Sequence, residues 1–199
     1  MASVLLVCLA SYLLGSIPNG LVFGKLIWHV DLREYGSHNI GATNAWRTLG
    51  KGPGCLIFLL DFLKGALSVG LAEVFAPLPL VMVIAGILAI VGHSCSLFLH
   101  FKGGKGVATG LGVIAMLMPL PSLIVFLVWL AIVMVTKYVS LGSCIAAALV
   151  PILSYAWGYP GAYTAFGVLA AAFIIIRHKA NIVRLMNGTE NKIHAGHRD

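Results

Sequence analysis

The sequence predicts an all-α integral membrane protein, a bundle of seven transmembrane helices with its N-terminus extracytoplasmic and its C-terminus cytoplasmic. Three observations lead there. Apolar residues make up 60% of the chain and charged residues 10%, against about 25% charged in soluble proteins, and the mean hydropathy is +0.99. The apolar runs approach the roughly 20 residues that cross a bilayer. The connections between them are of two kinds. Ala76-Pro77-Leu78-Pro79, Pro119-Leu120-Pro121 and Trp157-Gly158-Tyr159-Pro160-Gly161 carry no charge. The others hold Lys25, Arg33, Arg47, Lys51, Lys102, Lys105, Lys137, Arg177, Lys179, Arg184, Lys192 and Arg198, every basic residue except Lys64. Lys/Arg in short loops marks the cytoplasmic face, and alternation of the two loop kinds requires an odd number of crossings.

The first span runs over 4–23, without a basic segment before it or a cleavage sequence after it, so it reads as a retained helix and not a signal peptide. The second covers 53–75 and the third 80–99. The fourth, 106–118, is short, reaching only about 20 Å as a helix; it begins inside a glycine-rich stretch, or the bilayer thins around it. The remaining spans are 121–136, 141–156 and 162–176, followed by a polar tail over 177–199. No repeat or linker divides the chain, and 1–199 is read as a single polytopic domain.

The polar stretch 28–51 exceeds the length of about 12–15 residues above which loops are usually functional. Its Ile40, Ala42, Ala45, Trp46 and Leu49 suit a short amphipathic or re-entrant piece. Inside the second span, Asp61 and Lys64 stand three residues apart on one helix face. An isolated charge at that depth costs about 2.5–3.5 kcal/mol, so the pair faces the bundle interior. Two roles stay open for it: a structural ion pair, or support for substrate-binding cations.

A net charge of +7 without a basic stripe and interleaved aromatics excludes nucleic acid as a partner. Membrane lipids with anionic headgroups and anionic substrates fit better. Cys8, Cys55, Cys95 and Cys144 lack paired spacing and read as small buried hydrophobes.

Three polar clusters carry the chemistry. Gly36-Ser37-His38-Asn39-Ile40-Gly41-Ala42-Thr43-Asn44-Ala45-Trp46-Arg47-Thr48-Leu49-Gly50 combines flexible backbone, neutral donors and a guanidinium fork suited to phosphate or carboxylate. Gly92-His93, followed by Lys102-Gly103-Gly104-Lys105-Gly106, supplies exposed amides for an anion with Lys105 as a point charge. Its spacing is not that of a nucleotide-binding P-loop. Arg177-His178-x-x-Asn181, with Arg184, Gly188 and Glu190, begins where the last span leaves the membrane. One further helical turn puts His178 and Asn181 on one face.

No histidine, cysteine or carboxylate cluster has ligand spacing, so neither a metal nor a cofactor is expected. No nucleophile elbow surrounds Ser37 or Ser143. Donors and cations outnumber acceptors, which suits a site acting on an already activated donor.

Together these clusters, with Gly15-Ser16-Ile17-Pro18 and Asp61-Phe62-x-Lys64-Gly65, resemble the bacterial membrane glycerol-3-phosphate acyltransferases that use acyl phosphate as donor. The resemblance covers nearly the whole chain. It implies a bacterial cell-membrane location and an active site facing the cytoplasm. It also implies the reaction of acyl phosphate with sn-glycerol 3-phosphate to give 1-acyl-glycerol 3-phosphate and phosphate, the acyl phosphate coming from a soluble or peripheral acyltransferase. By the same resemblance Ser37 and Arg47 bind glycerol 3-phosphate, with Lys105, His178 and Asn181 completing the catalytic pocket. Gly103, Gly104, Gly106, Thr43, Asn44 and Ser143 hold the phosphoryl group of the donor. His38, Asn39, Gly41, Arg177 and Glu190 join the substrate-binding set. His178 is the obvious base by residue type, whereas the resemblance favours a substrate phosphate as proton acceptor.

The rival reading is a transporter or channel for a small organic phosphate, which shares the glycines at membrane depth and the cationic site. It predicts an internal repeat and polar groups at mid-bilayer; the sequence has no repeat, and its polar residues gather at one face. A structural assembly factor gives no reason for Lys105 among three glycines.

Overall fold

The structure is a computed structural model that describes residues 1–194; Arg198 and the end of the polar tail lie outside the described residues. Its helices are α1 (Ala2–Ser16), α2 (Asn19–Trp28), α3 (Ala42–Leu49), α4 (Lys51–Phe75), α5 (Pro79–Ser94), α6 (Val107–Leu117), α7 (Pro119–Thr136), α8 (Val139–Ala156), α9 (Gly161–Arg177) and α10 (Lys179–Met186). A short 3-10 turn, Leu97–Leu99, follows α5.

Four segments are long and apolar enough to cross a membrane: Lys51–Phe75, Pro79–Leu99, Pro119–Thr136 and Val139–Ala156. Two expectations need correction. The first span is not one helix, because α1 and α2 meet at a 44° bend. Pro18 has no N–H to continue the ladder, and its ring crowds the preceding turn. The Ile17 carbonyl exposed at the break accepts a hydrogen bond from Lys64 Nζ at 2.9 Å. Nor does the last span continue straight into the tail: α9 and α10 are bent by 61° around His178. The fourth segment is short, as anticipated. Helix α6 has 11 residues and rises about 16 Å.

Close helix approach depends on small residues. A side chain at Gly65 would meet the Thr109 carbonyl, and one at Gly112 the Phe62 carbonyl, so α4 and α6 cross with their backbones together. Gly15 and Gly92 do the same for α1 and α5. Gly20 and Gly24 instead pack on the Ile40 and Val30 carbonyls of the following loop. The main apolar core collects Val69, Val113, Val125 and Phe166 from α4, α6, α7 and α9, with Met118 at the junction of α6 and α7.

The segment 29–50 is a folded platform. Its short helix α3 buries Ala45 against Leu32 and Ile57 of α4, with Ala42 and Leu49 beside them. Asp31 ties down the loop through Lys25 at 2.9 Å and Arg33 at 2.7 Å. Their positive charges hold its carboxyl far below the usual carboxylate range, the bond from Arg33 contributing most.

Candidate active site

Asn44 organises the first side of the site. Its Oδ1 accepts from the Ser37 amide at 2.8 Å, and its Nδ2 lies within donating distance of the carbonyls of Leu32 (2.8 Å), Asn39 (2.8 Å) and Tyr35 (3.1 Å). Gly36 sits at φ +57°, and a Cβ there would lie 2.5 Å from Asn44 Oδ1, so only glycine fits. Buried and saturated within its own loop, Asn44 lines the pocket but has no spare hydrogen-bonding capacity for a phosphoryl group.

The second side comes from the glycine loop. Gly106, at φ +81°, caps α6 and turns Val107 and Ala108 toward the pocket. Gly103 and Gly104 lie elsewhere than the sequence suggests. Side chains there would strike the His93 carbonyl and the His93 ring, and the Gly104 amide donates to the His93 carbonyl at 3.0 Å. Their own carbonyls accept from Arg177 Nη2 at 3.3 and 3.0 Å. Gly103, Gly104 and Arg177 therefore form a brace behind the pocket and do not line it.

The third side is the bend at α9 and α10. His178 is 3% exposed, with Nδ1 2.8 Å from the Ile174 carbonyl oxygen. A carbonyl can only accept, so Nδ1 carries the hydrogen and a neutral ring leaves Nε2 as an acceptor. Asn181 Oδ1 accepts from Lys105 Nζ at 2.5 Å, and its Nδ2 donates to Glu190 Oε1 at 2.6 Å. Glu190 also accepts from Ser140 Oγ at 2.7 Å and from Arg184 Nε at 2.8 Å. These bonds hold its carboxyl below the usual range, against the opposing effect of burial.

An open pocket of about 820 Å³, part of it solvent, joins the three sides. Of the residues anticipated from the sequence, it is lined by Ser37, Asn39, Gly41, Thr43, Asn44, Arg47, Lys105, Gly106, Ser143, His178, Asn181 and Glu190. His38 stands outside, exposed at φ 55°, its Nδ1 2.9 Å from the Arg33 carbonyl. Sequence reasoning missed Ser140, the pairing of Arg184 with Glu190, and the aromatic wall of Phe58 and Trp129. Asp61 and His93 also line the pocket. Asp61 Oδ1 accepts from Asn19 Nδ2 and pairs with Lys64 Nζ, both at 3.0 Å, with His93 Nδ1 3.7 Å away. Ser143 is not the hydroxyl of a triad. Its Oγ donates to the Val139 carbonyl at 2.9 Å and accepts from Trp129 Nε1 at 3.3 Å, so its proton is already committed.

The electrostatics suit an anion. Among the described residues, Arg47, Lys105 and Arg184 line the pocket, and only Arg184 of the three bonds the Glu190 carboxylate. Arg47 Nη2 donates to the Asn191 carbonyl at 2.7 Å, while its buried Nε has no partner among the described residues. Burial lowers the Arg47 pKa below its ordinary value, yet the guanidinium stays charged. Burial brings Lys105 down to about 8, with Glu190 pulling it back up and Arg184 and Arg47 pressing it further down. Two cations with spare donors, half withdrawn from water, are what a phosphate dianion satisfies.

An apolar cleft of about 580 Å³, part of it solvent, adjoins this pocket. It lies among α6, α7, α8 and α9 and is walled by Leu111, Ile114, Val125, Val150 and Ile174. Phe58, Val107, Trp129 and Ser143 belong to both cavities.

A family model described as glycerol-3-phosphate acyltransferase matches residues 5–188. The glycerol-3-phosphate acyltransferase of Syntrophomonas wolfei subsp. wolfei is 47% identical over 192 residues, covering 96% of each chain. That of Desulforamulus reducens is 44% identical over 188 residues, with 94% of each chain covered. Among solved structures, PlsY (YgiH), an integral membrane glycerol 3-phosphate acyltransferase, aligns in its glycerol 3-phosphate form with a TM-score of 0.92 at 42% identity, covering 96% of both chains. Its lysophosphatidic acid form aligns with a TM-score of 0.89 at 41% identity, over 96% of this chain and 95% of that one.

Proposed function

The chain belongs to the glycerol-3-phosphate acyltransferase family, and from that premise we propose how its pocket performs the family's reaction. It is an all-α, multi-pass membrane protein. It transfers a fatty acyl group from acyl phosphate to sn-glycerol 3-phosphate, giving 1-acyl-glycerol 3-phosphate and inorganic phosphate. The observation that carries the mechanism is the meeting of Arg47, Lys105, His178 and Asn181 in one cationic pocket with an apolar cleft opening beside it.

Glycerol 3-phosphate sits with its phosphate against Arg47 and Lys105, flanked by Ser37. Asn181 fixes the Lys105 ammonium, and Glu190 fixes Asn181. The donor lays its chain in the cleft, where each buried CH₂ contributes about 0.8 kcal/mol, and brings its phosphoryl group to the shared rim near Thr43 and Gly106. The acyl carbonyl is a mixed anhydride, so phosphate leaves without a covalent acyl-enzyme. The sn-1 hydroxyl oxygen attacks the acyl carbon, the bond to the phosphate oxygen breaks, and the hydroxyl proton passes to a substrate phosphate. His178 positions that hydroxyl through Nε2. A lost donor at the developing oxyanion costs about 2.7–4 kcal/mol.

We read the topology as seven crossings in one domain. The four long apolar segments, the two bent pairs and short α6 supply them. The basic connections face the cytoplasm, the N-terminus lies outside and the C-terminus inside. On this reading the site opens to the cytoplasm in a bacterial inner membrane, where a soluble or peripheral acyltransferase supplies acyl phosphate. The test is purified protein in lipid with acyl phosphate and glycerol 3-phosphate, following phosphate and lysophosphatidic acid together. Equal release of both is expected; absence of lysophosphatidic acid would overturn the assignment.

A further inference from the structure

Trp129 stands at the neck where the polar pocket becomes the apolar cleft, and it lines both. The ring is held from several directions. Its centroid lies 5.9 Å from Phe126 and 6.4 Å from Phe58, both in stacked arrangement. Its Nε1 donates to Ser143 Oγ at 3.3 Å, and that hydroxyl is oriented by the Val139 carbonyl. Gly142 closes the fourth side: a Cβ there would lie 3.0 Å from Trp129 Cδ1 and 3.2 Å from the Trp129 carbonyl oxygen. The indole is thus clamped by groups from α4, α7 and α8, more restraint than a lipid-facing tryptophan needs.

The placement matters because the two cavities demand opposite ends of one substrate. If phosphates occupy the polar pocket and the chain occupies the cleft, as the proposed function has it, the reactive acyl carbon sits beside this neck. That carbon is also open to water. In hydrolysis the water oxygen bonds to the acyl carbon, the bond to the phosphate oxygen breaks, and the proton goes to the departing phosphate, leaving a free fatty acid. We propose that Trp129 is a positioning residue for the acyl donor, sealing the neck so that the glycerol 3-phosphate hydroxyl, and not water, reaches the acyl carbon.

The experiment compares wild type, W129L and G142A in lipid, measuring phosphate, lysophosphatidic acid and free fatty acid with saturating acyl phosphate. G142A retains the tryptophan and moves it, so it carries the test even where W129L fails to fold. The phosphate-to-lysophosphatidic acid ratio is expected near one for wild type. It should rise at least about threefold in both variants, with KM for the donor raised and KM for glycerol 3-phosphate within about twofold. A ratio that stays near one in every folded variant overturns the proposal while leaving the acyltransferase reading intact. A wild type that makes no lysophosphatidic acid overturns that reading instead.

Discussion

Lys105 Nζ donates to Asn181 Oδ1 at 2.5 Å, joining a glycine loop to a helix 76 residues away in sequence. The Asn181 amide cannot turn around, because its Nδ2 is held by Glu190 Oε1 at 2.6 Å. A carboxylate thereby sets the direction of an ammonium that it does not touch. On the proposed reading, the chain of contacts gives an acidic residue a place in an anion site: it orients donors from behind the phosphate.

Replacing Glu190 with Gln tests that relay. The neutral amide weakens the bond from Arg184 and sets an NH₂ among donors from Ser140, Asn181 and Arg184. Hydrogen bonds to charged groups contribute about 1.5–3 kcal/mol, so kcat/KM for glycerol 3-phosphate should fall about 10- to 100-fold. The check is steady-state kinetics on a variant whose thermal unfolding matches wild type.

The proposed role of Lys105 predicts an activity sensitive to pH. Burial lowers its pKa from 10.5 to about 8, and only the protonated amine attracts phosphate. In the free enzyme kcat/KM for glycerol 3-phosphate should therefore fall as pH rises through about 8, approaching tenfold per unit beyond it. Stability moves the other way. Between about 8 and 10.5 the unfolded chain retains a proton that the folded chain has released, so the contribution of this group to stability rises with pH. K105R, whose guanidinium does not titrate in this range, should keep part of the rate and lose the alkaline limb.

His178 distinguishes two routes for the proton. A general base is worth about 10²–10⁴-fold in rate. With a substrate phosphate as acceptor and His178 as positioning group, H178Q should stay within about tenfold of wild-type kcat. A larger loss, with the acid limb of the pH profile abolished, would make the histidine the base.

Asp61 and Lys64 are 2% and 5% exposed and 3.0 Å apart. D61L alone leaves a buried ammonium whose other partner is the Ile17 carbonyl at the break between α1 and α2. Removing one partner of a buried pair typically costs about 3–5 kcal/mol, whereas replacing both with apolar residues is often close to neutral. Thermal unfolding should therefore show D61L well below wild type and D61L/K64L recovering most of the difference.

Much of this architecture is legible in the amino-acid sequence. Apolar run length and the two loop kinds mark the segments, and the shortness of α6 follows from counting residues between Gly106 and Met118. The three polar clusters are visible as residue types, and the resemblance to the family implies that Arg47, Lys105, His178 and Asn181 are partners in one site. What the sequence conceals is direction. Gly103 and Gly104 read as anion-binding amides, yet their surroundings are the His93 ring and carbonyl, and Arg177 holds their carbonyls. Asn44 reads as a donor to substrate but is consumed by its own loop. Pro18 is visible, while the Ile17 carbonyl at the bend accepts from the Asn19 amide and from Lys64 Nζ, a partner 47 residues away that the sequence does not mark. Trp129 has no polar neighbour in sequence to mark it; its significance comes from two cavities meeting at one side chain.

The central claim is that Arg47 and Lys105 act on one bound phosphate. A double-mutant cycle on kcat/KM for glycerol 3-phosphate, using R47A, K105A and R47A/K105A, measures this directly. Each single variant should lose about 10²-fold or more, and the double should lose markedly less than the product, because either loss already dismantles the shared site. Single variants within a few-fold of wild type, or losses that multiply in full, would mean that the two cations do not serve the same phosphate.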